Sequence, residues 1–257
     1  MRIAIAGATG TIGRQLTDLA RNEGHEVIEI ARETGFDLLD AGPAPGPAPG
    51  PARGTALGTA LAGVVAVVDV TQSPTLDEQE ASTFFRTVAE NLGEAATTAG
   101  IQRTVVLSIV GTDLSPDYGY YVAKTAQEQA HRAASPGVVV LRATQFHDFA
   151  GQMLAWNRDG RTVSIIDVPT QPVATTEIVR LLLDLATGAA AGDTDLAGPE
   201  RQDLVDQVRE LVRRSGEDLD VVTVPGPPSM AGGSMLPGPD ALVRGPSWSA
   251  WLDAQVD

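Results

Sequence analysis

Three side chains in this sequence are of types that move protons, and their spacing suits one task. Ser108 lies near the end of an apolar run, Thr104-Val105-Val106-Leu107-Ser108-Ile109, and Tyr120 and Lys124 follow four residues apart. On a helix, residues four apart share a face, so the phenol and the ammonium can reach one site. A neighbouring ammonium favours the tyrosinate and lowers the phenol pKa toward the working range. Tyr120 would then give a proton to a carbonyl or take one from an alcohol, with Ser108 holding the same oxygen by a hydrogen bond. Taken alone, Tyr-x-x-x-Lys also describes a surface helix with an i,i+4 pair. A strand-end serine before it, and what stands at the start of the chain, favour the chemistry.

That start is Arg2-Ile3-Ala4-Ile5-Ala6-Gly7-Ala8-Thr9-Gly10-Thr11-Ile12-Gly13. It reads as a strand buried on both faces, then three glycines, then a helical period through Ile12, Leu16, Leu19 and Ala20. Gly7 would make the tight turn, Gly10 would let backbone N–H groups approach a diphosphate, and Gly13 would let helix and strand pack closely. The diphosphate would sit on the helix N-terminus, where unpaired N–H groups and the dipole favour an anion. The helix would end at Gly24, and a second strand follows as Glu26–Ile30. An ordinary glycine-rich turn is the bland reading in a chain with 27 glycines, but the strand–turn–helix–strand context is what a dinucleotide site requires. At the end of the second strand an arginine pairs with the 2′-phosphate of NADP, whereas a carboxylate bonds the 2′-hydroxyl of NAD. Arg32 occupies that end and favours NADP(H) over NAD(H). Glu29 is the competing acid, and a solvated loop charge is the plain alternative for Arg32.

Composition bounds the rest. A chain of 257 residues with 43% hydrophobic content can bury a large core. A net charge of −15 argues against nucleic acid and anionic membranes as partners. No apolar run reaches the ~18 residues of a membrane span, and a strand from residue 2 leaves no room for a signal peptide. With no cysteine, disulfides and thiolate chemistry are excluded and a cytoplasmic location fits. His25, His131 and His147 show no metal-ligand spacing, so no metal is expected. The long helices would cover the sheet or serve a homodimer.

Along the chain, residues 42 to 53 form a Pro/Ala/Gly repeat without core-forming side chains, read as a surface loop. A short helical piece around Thr55 to Leu61 precedes a buried strand, Val64–Val70, and its loop Thr71-Gln72-Ser73-Pro74. A helix from Leu76 to Thr98 would bury Phe84, Phe85, Val88 and Leu92, and Thr104–Ile109 is the next strand. This alternation predicts an α/β fold: a doubly wound parallel Rossmann sheet over residues 1–150 with a small C-terminal substrate lobe over 151–257. About 171–200 would return to the core, through a helix over Thr175–Leu185. Lobe strands are expected at Thr162–Val168 and Val221–Val224, with an amphipathic stretch at Asp203–Arg214. His147 would contact substrate or serve as a hydrogen-bonded structural histidine. Phe149 and Trp156 would line an apolar pocket or form lobe core. The Gly/Pro/Ser/Met-rich segment Pro225–Pro239 reads as a mobile flap or as functionless flexible chain. Trp248 and Trp251 would anchor the last helix on the core.

The glycine turn, Leu107-Ser108-Ile109-Val110-Gly111 and Tyr120-x-x-x-Lys124 together resemble the short-chain dehydrogenase/reductase superfamily, and within it the atypical, NmrA-like NAD(P)H-binding branch. Leu141–Phe146, Gln171–Thr175 and Ala197–Glu200 agree with that resemblance, which covers most of the chain. It implies that Thr9, Thr11 and Ile12 join Gly7, Gly10 and Gly13 at the diphosphate, and that Asp37 and Leu38 flank the adenine. It also implies Thr71 and Ser73 along the adenosine side, Ala143, Thr144, Gln145 and Phe146 near the nicotinamide, and Lys124 on the ribose hydroxyls. The implied activity is NADP(H)-dependent hydride transfer to or from a small apolar carbonyl or quinone-type substrate. Some members of the branch are dinucleotide sensors, and the same site supports non-redox isomerase, epimerase or dehydratase chemistry. The Asn-Asn-Ala-Gly segment of the larger superfamily is missing, with Asn91 the nearest asparagine in the adjacent helix.

Overall fold

The computed structural model describes residues 1–40 and 53–255. Apart from Arg53, the Pro/Ala/Gly repeat lies outside them. The chain opens with β1 (Arg2–Ala6), α1 (Thr11–Asn22), β2 (Glu26–Ile30), α2 (Arg53–Ala60), β3 (Ala66–Asp69), α3 (Glu78–Thr98), β4 (Thr104–Ile109), α4 (Gly119–Ala134) and β5 (Val138–Ala143). It continues with α5 (Phe149–Trp156), β6 (Arg158–Asp159), β7 (Thr162–Asp167), β8 (Pro169–Thr170), α6 (Thr175–Thr187), β9 (Thr194–Ala197), β10 (Gln202–Asp203) and α7 (Leu204–Ser215). The last elements are β11 (Asp220–Pro225), α8 (Pro228–Ala231), β12 (Leu242–Val243) and α9 (Trp248–Asp253). The α/β alternation read from the sequence is present, with element ends displaced by a few residues.

Seven strands form one sheet in the order β12-β9-β5-β4-β3-β1-β2. The pairs β1–β2, β1–β3, β3–β4 and β9–β12 are all parallel. From β1 the chain steps first to β2 on one side and then to β3 and β4 on the other. The β1/β3 gap is therefore the topological switch point, outside whose strand ends open α/β sheets bind ligands. β1 is buried from Ile3 to Ala6 and β3 from Ala66 to Asp69, as strands covered on both faces must be. α3 starts cleanly because the Asp77 carboxylate accepts from the N–H groups of Gln79 and Glu80, a side-chain N-cap.

The chain divides into two compact units. The first comprises Met1–Ser108, Val122–Leu141 and Val179–Asp193, and the second Ile109–Tyr121, Arg142–Ile178 and Thr194–Asp257. In the first, Ala4, Ile30, Val67, Val88 and Leu92 form a buried cluster. In the second, Val163, Ile165, Leu204, Val208, Met230 and Trp248 do so, around a three-stranded sheet in the order β11-β7-β6. Trp248 is buried in that cluster with Trp251 packed beside it, so the two tryptophans anchor α9. No helix among the described residues is long and apolar enough to cross a membrane.

The segment Pro225–Pro239 differs from its reading as a mobile flap. It carries α8, buries Met230 and Met235, and is tied down at two points. Asp117 accepts from both the N–H and the hydroxyl of Ser229, and Ser115 Oγ lies 2.7 Å from Ser234 Oγ. Glycine and proline content measures local stiffness; the two methionines decide the packing.

Candidate active site

In the first unit the glycine turn has the geometry expected of a diphosphate cradle. Gly7 sits at φ +81, and a Cβ there would stand 2.9 Å from Val70 O, so only glycine lets the end of β1 close on the end of β3. At Gly13 a Cβ would strike the Gly7 carbonyl and lie 2.6 Å from Ala8 Cα. Gly10, the N-cap of α1, adopts an extended conformation (φ −76, ψ 175). A Cβ there would meet only Gly7 O, at 3.4 Å. Among the described residues no side chain caps α1, and its first turn holds no acid. Its leading N–H groups, among them those of Thr11, Ile12 and Gly13, are thus left for an anion.

The turn also brings up a residue the sequence reading passed over. Thr9 Oγ1 donates to Glu33 Oε2 at 3.1 Å. Glu33 lies with Arg32 in a 3₁₀ turn, Arg32–Thr34, that follows β2. Its carboxyl is held below the usual glutamate range by a backbone hydrogen bond and the Thr9 hydroxyl, then by the Arg32 and Arg14 guanidiniums. Glu29, the acid named as the competitor, is instead paired with Arg21 at 2.5 Å. Asp37 caps the N–H of Leu39 at 3.0 Å, and Leu38 is a core residue whose carbonyl accepts from Asn91 at 2.8 Å. Asn91 therefore serves that loop.

One candidate residue of this unit carries a buried hydroxyl with no hydrogen-bond partner among the described residues, Ser108 Oγ, whereas Thr71 is bonded to the Asp69 carboxylate. Ser108 is 2% exposed, and leaving a hydroxyl dry and unpaired costs about 1–3 kcal/mol. Ser73 is buried as well, and its Oγ accepts from the N–H of Thr75 at 3.3 Å. Lys124 is 5% exposed. Its ammonium donates to Leu107 O at 2.9 Å and to Gln127 Oε1, and lies 4.9 Å from the centre of the Phe85 ring. Burial pulls its pKa down to about 8, against the opposing pull of Asp69 and Glu128.

The second unit holds the remaining candidates. Tyr120 stands in the first turn of α4 and packs on the apolar cluster of this unit. Burial, and then Tyr118, push its pKa up to about 12. The sequence reading expected the ammonium one turn along α4 to lower it. Instead desolvation governs the phenol, and the Lys124 ammonium is engaged with Leu107 and Gln127. Tyr121 is the more deeply buried phenol, donating to Met235 Sδ at 3.4 Å with Gln145 Nε2 donating to its oxygen at 3.4 Å.

After Ala143 closes β5, Thr144 donates from Oγ1 to Gln171 O at 2.6 Å, and Phe146 makes a parallel bridge with Val173. His147 is buried, with Nε2 3.1 Å from Pro172 O and its ring centre 5.3 Å from that of Trp251. Its backbone carbonyl accepts from Trp248 Nε1 at 3.0 Å. Phe149 packs on the apolar cluster, whereas Trp156, at the end of α5, is 62% exposed.

Sequence reasoning also missed Asp69, Gln127 and His131, a buried polar group next to Lys124. A signal for them was present: Gln127 and His131 stand three and seven residues after Lys124, on its face of the helix.

The comparisons with known proteins agree with this geometry. A family model described as NAD(P)H-binding matches residues 7–182. No curated protein matches the chain in sequence. Among solved structures, a dTDP-4-dehydrorhamnose reductase from Clostridium acetobutylicum is 17% identical with a TM-score of 0.69, covering 99% of this chain and 93% of that one. Its counterpart from Bacillus anthracis, in complex with NADP, is 14% identical with a TM-score of 0.70, covering 98% and 97%. MoeE5, in complex with UDP-glucose and NAD, is 19% identical with a TM-score of 0.67, covering 95% and 88%. At such identities the likeness is one of fold. Given a family match over most of its length, the chain belongs to the NAD(P)H-binding family that this model describes, and it shares its fold with the reductases named above.

Proposed function

We propose that this protein is an NADP(H)-dependent reductase of small apolar carbonyl or quinone-type substrates, with Tyr120 as the proton donor. The observation that carries the reading is the buried, unpaired Ser108 hydroxyl at the C-terminal end of β4, which a substrate oxygen would satisfy. The uncapped start of α1 fits a dinucleotide. When bound, the nicotinamide supplies the hydride. The chain's own groups do the rest: Ser108 holds the carbonyl oxygen, and Tyr120 releases a proton to it as charge develops there. With a pKa of about 12, Tyr120 keeps its proton at neutral pH, which suits reduction better than alcohol oxidation. Lys124 has three N–H groups; two are engaged within the protein, and the third would serve the ribose hydroxyls. Ala143–Phe146 would border the nicotinamide, and His147, bonded to Pro172 O, would shape the wall rather than meet substrate.

The test is NADPH oxidation against a panel of quinones, aldehydes and ketones, with wild type and Ser108→Ala side by side. Turnover that falls by about 10²-fold or more in the variant, the scale of losing one oxyanion donor, supports the reading. Tight NADPH binding with no turnover of any acceptor overturns it.

The cofactor preference rests on Arg32, assisted by Arg14, since both guanidiniums already act on the Glu33 carboxylate and a 2′-phosphate would compete for them. Removing a charge-assisted hydrogen bond costs about 1.5–3 kcal/mol. Arg32→Ala should therefore weaken NADPH at least tenfold and leave NADH unchanged, whereas Glu33→Gln should tighten NADPH relative to NADH. Fluorescence titration of both nucleotides decides it, and equal affinities that ignore Arg32→Ala would remove the assignment.

A further inference from the structure

We infer that Asp69 is a positioning residue whose single carboxylate sets both the Lys124 ammonium and the loop after β3. The inference rests on the reading that Lys124 works at the nicotinamide ribose. Asp69 ends β3, whose other residues are alanine and valine, and its side chain is fully buried. Burial alone would raise its pKa, but the hydrogen bond and charge of His131, with the bonds from Thr71, hold it at about 2. The carboxylate is thus ionised, and every group touching it must donate. Thr71 N–H reaches Oδ1 at 2.8 Å. Gln127 Nε2 reaches Oδ2 at 2.9 Å, and His131 Nε2 lies 2.8 Å from the same oxygen. Those contacts require that His131 Nε2 carry a proton toward Asp69, with Nδ1 2.9 Å from Ser135 Oγ, and that the Gln127 amide oxygen be turned to Lys124.

The chain Lys124–Gln127–Asp69–His131–Ser135 runs through the first unit. An amide neither takes up nor releases a proton in the working range, so this path transmits orientation and charge, not protons. At its other oxygen Asp69 grips Thr71 N–H, in the segment against which Gly7 packs with no room for a Cβ. One carboxylate therefore holds a turn of the dinucleotide cradle and, at one remove, the lysine. The charged groups facing Lys124 are Asp69 from β3 and Glu128 from its own helix; the face from α3 is the neutral Phe85 ring.

Lys124 is the only lysine in the chain, so protein labelled with [¹⁵N]lysine shows a single side-chain Nζ resonance. Its titration in the cofactor-free protein tests the inference. Gln127→Met, close in volume, cuts the link and leaves Asp69 with His131 and Thr71. Asp69→Asn removes the charge. In Asp69→Asn the Nζ midpoint should fall by about one pH unit, as expected when an opposite charge is lost, and in Gln127→Met it should fall because the ammonium loses an acceptor bond. Hydrogen exchange at the Thr71 amide should quicken in Asp69→Asn and not in Gln127→Met. Should Asp69→Asn fail to fold, Gln127→Met still decides: a midpoint equal to that of wild type overturns the inference. NADPH turnover plays no part in this titration, so it can fail in an active reductase or hold in a protein that reduces nothing. The two readings fall separately.

Discussion

Tyr120→Phe is expected to bind NADPH as wild type does and to lose about 10²–10⁴-fold of its carbonyl turnover, the usual contribution of a positioned acid. The substitution removes one oxygen from a side chain that otherwise packs on an apolar cluster, so the fold has little to lose. What disappears is the proposed proton donor, a phenol whose pKa of about 12 keeps it neutral across the physiological range. The alkaline limit then belongs to Lys124. Its pKa lies lowered at about 8, so the ammonium is present below that value and is lost as pH rises through it. Turnover should be flat through neutrality and decline above about pH 8. Steady-state NADPH oxidation and NADPH titration, run together on wild type and variant, read both effects. Turnover that persists in Tyr120→Phe would remove the phenol from the proton step and leave a quinone-style hydride transfer.

Gly13→Ala is expected to destabilise the protein and to abolish tight dinucleotide binding, against what helix propensity alone foretells. In a helix interior alanine is favoured over glycine by about 1 kcal/mol. Here the added carbon would meet the Gly7 carbonyl and sit 2.6 Å and 2.8 Å from Ala8 Cα and C, all backbone atoms that cannot swing aside. α1 must therefore move off β1. Overpacking of this kind costs about 1–3 kcal/mol, more than the propensity gain, and it displaces the N–H groups proposed to hold the diphosphate. A thermal melt and an NADPH titration of Gly13→Ala check the two parts. Gly24→Ala is the control: it also lies outside the strand, at φ +79, but its Cβ would meet nothing within 4 Å, so only left-handed strain of about 1–2 kcal/mol remains.

The parts of this molecule legible in its sequence are those fixed by local pattern. β1, the glycine turn, α1 and β2 show because burial on both faces and a change of period occur within thirty residues. Tyr120 and Lys124 show because one helical turn separates them. What escaped notice depends on distance along the chain. Asp69 reads as the tail of an apolar strand; its meaning lies in Gln127 and His131, 58 and 62 residues away. As a metal ligand His131 has no suitable spacing; its seven-residue offset from Lys124 is the informative number. The choice between Arg32 and Glu33 turns on a three-residue 3₁₀ turn, below what strand and helix periodicity resolve. For Tyr120 the pattern points to the ammonium one turn along the helix, but burial, which no sequence period reports, sets the direction of the shift.

The solitary lysine has one more consequence. A protease that cuts only after lysine finds a single address in the whole chain, and that address is inside α4 with its side chain buried. Cleavage must wait for that helix to open, so under mild digestion the cutting rate reads the opening free energy of one element without any label. A nucleotide gripped by Lys124 would slow the cut by holding the closed form, turning a gel band into a binding isotherm.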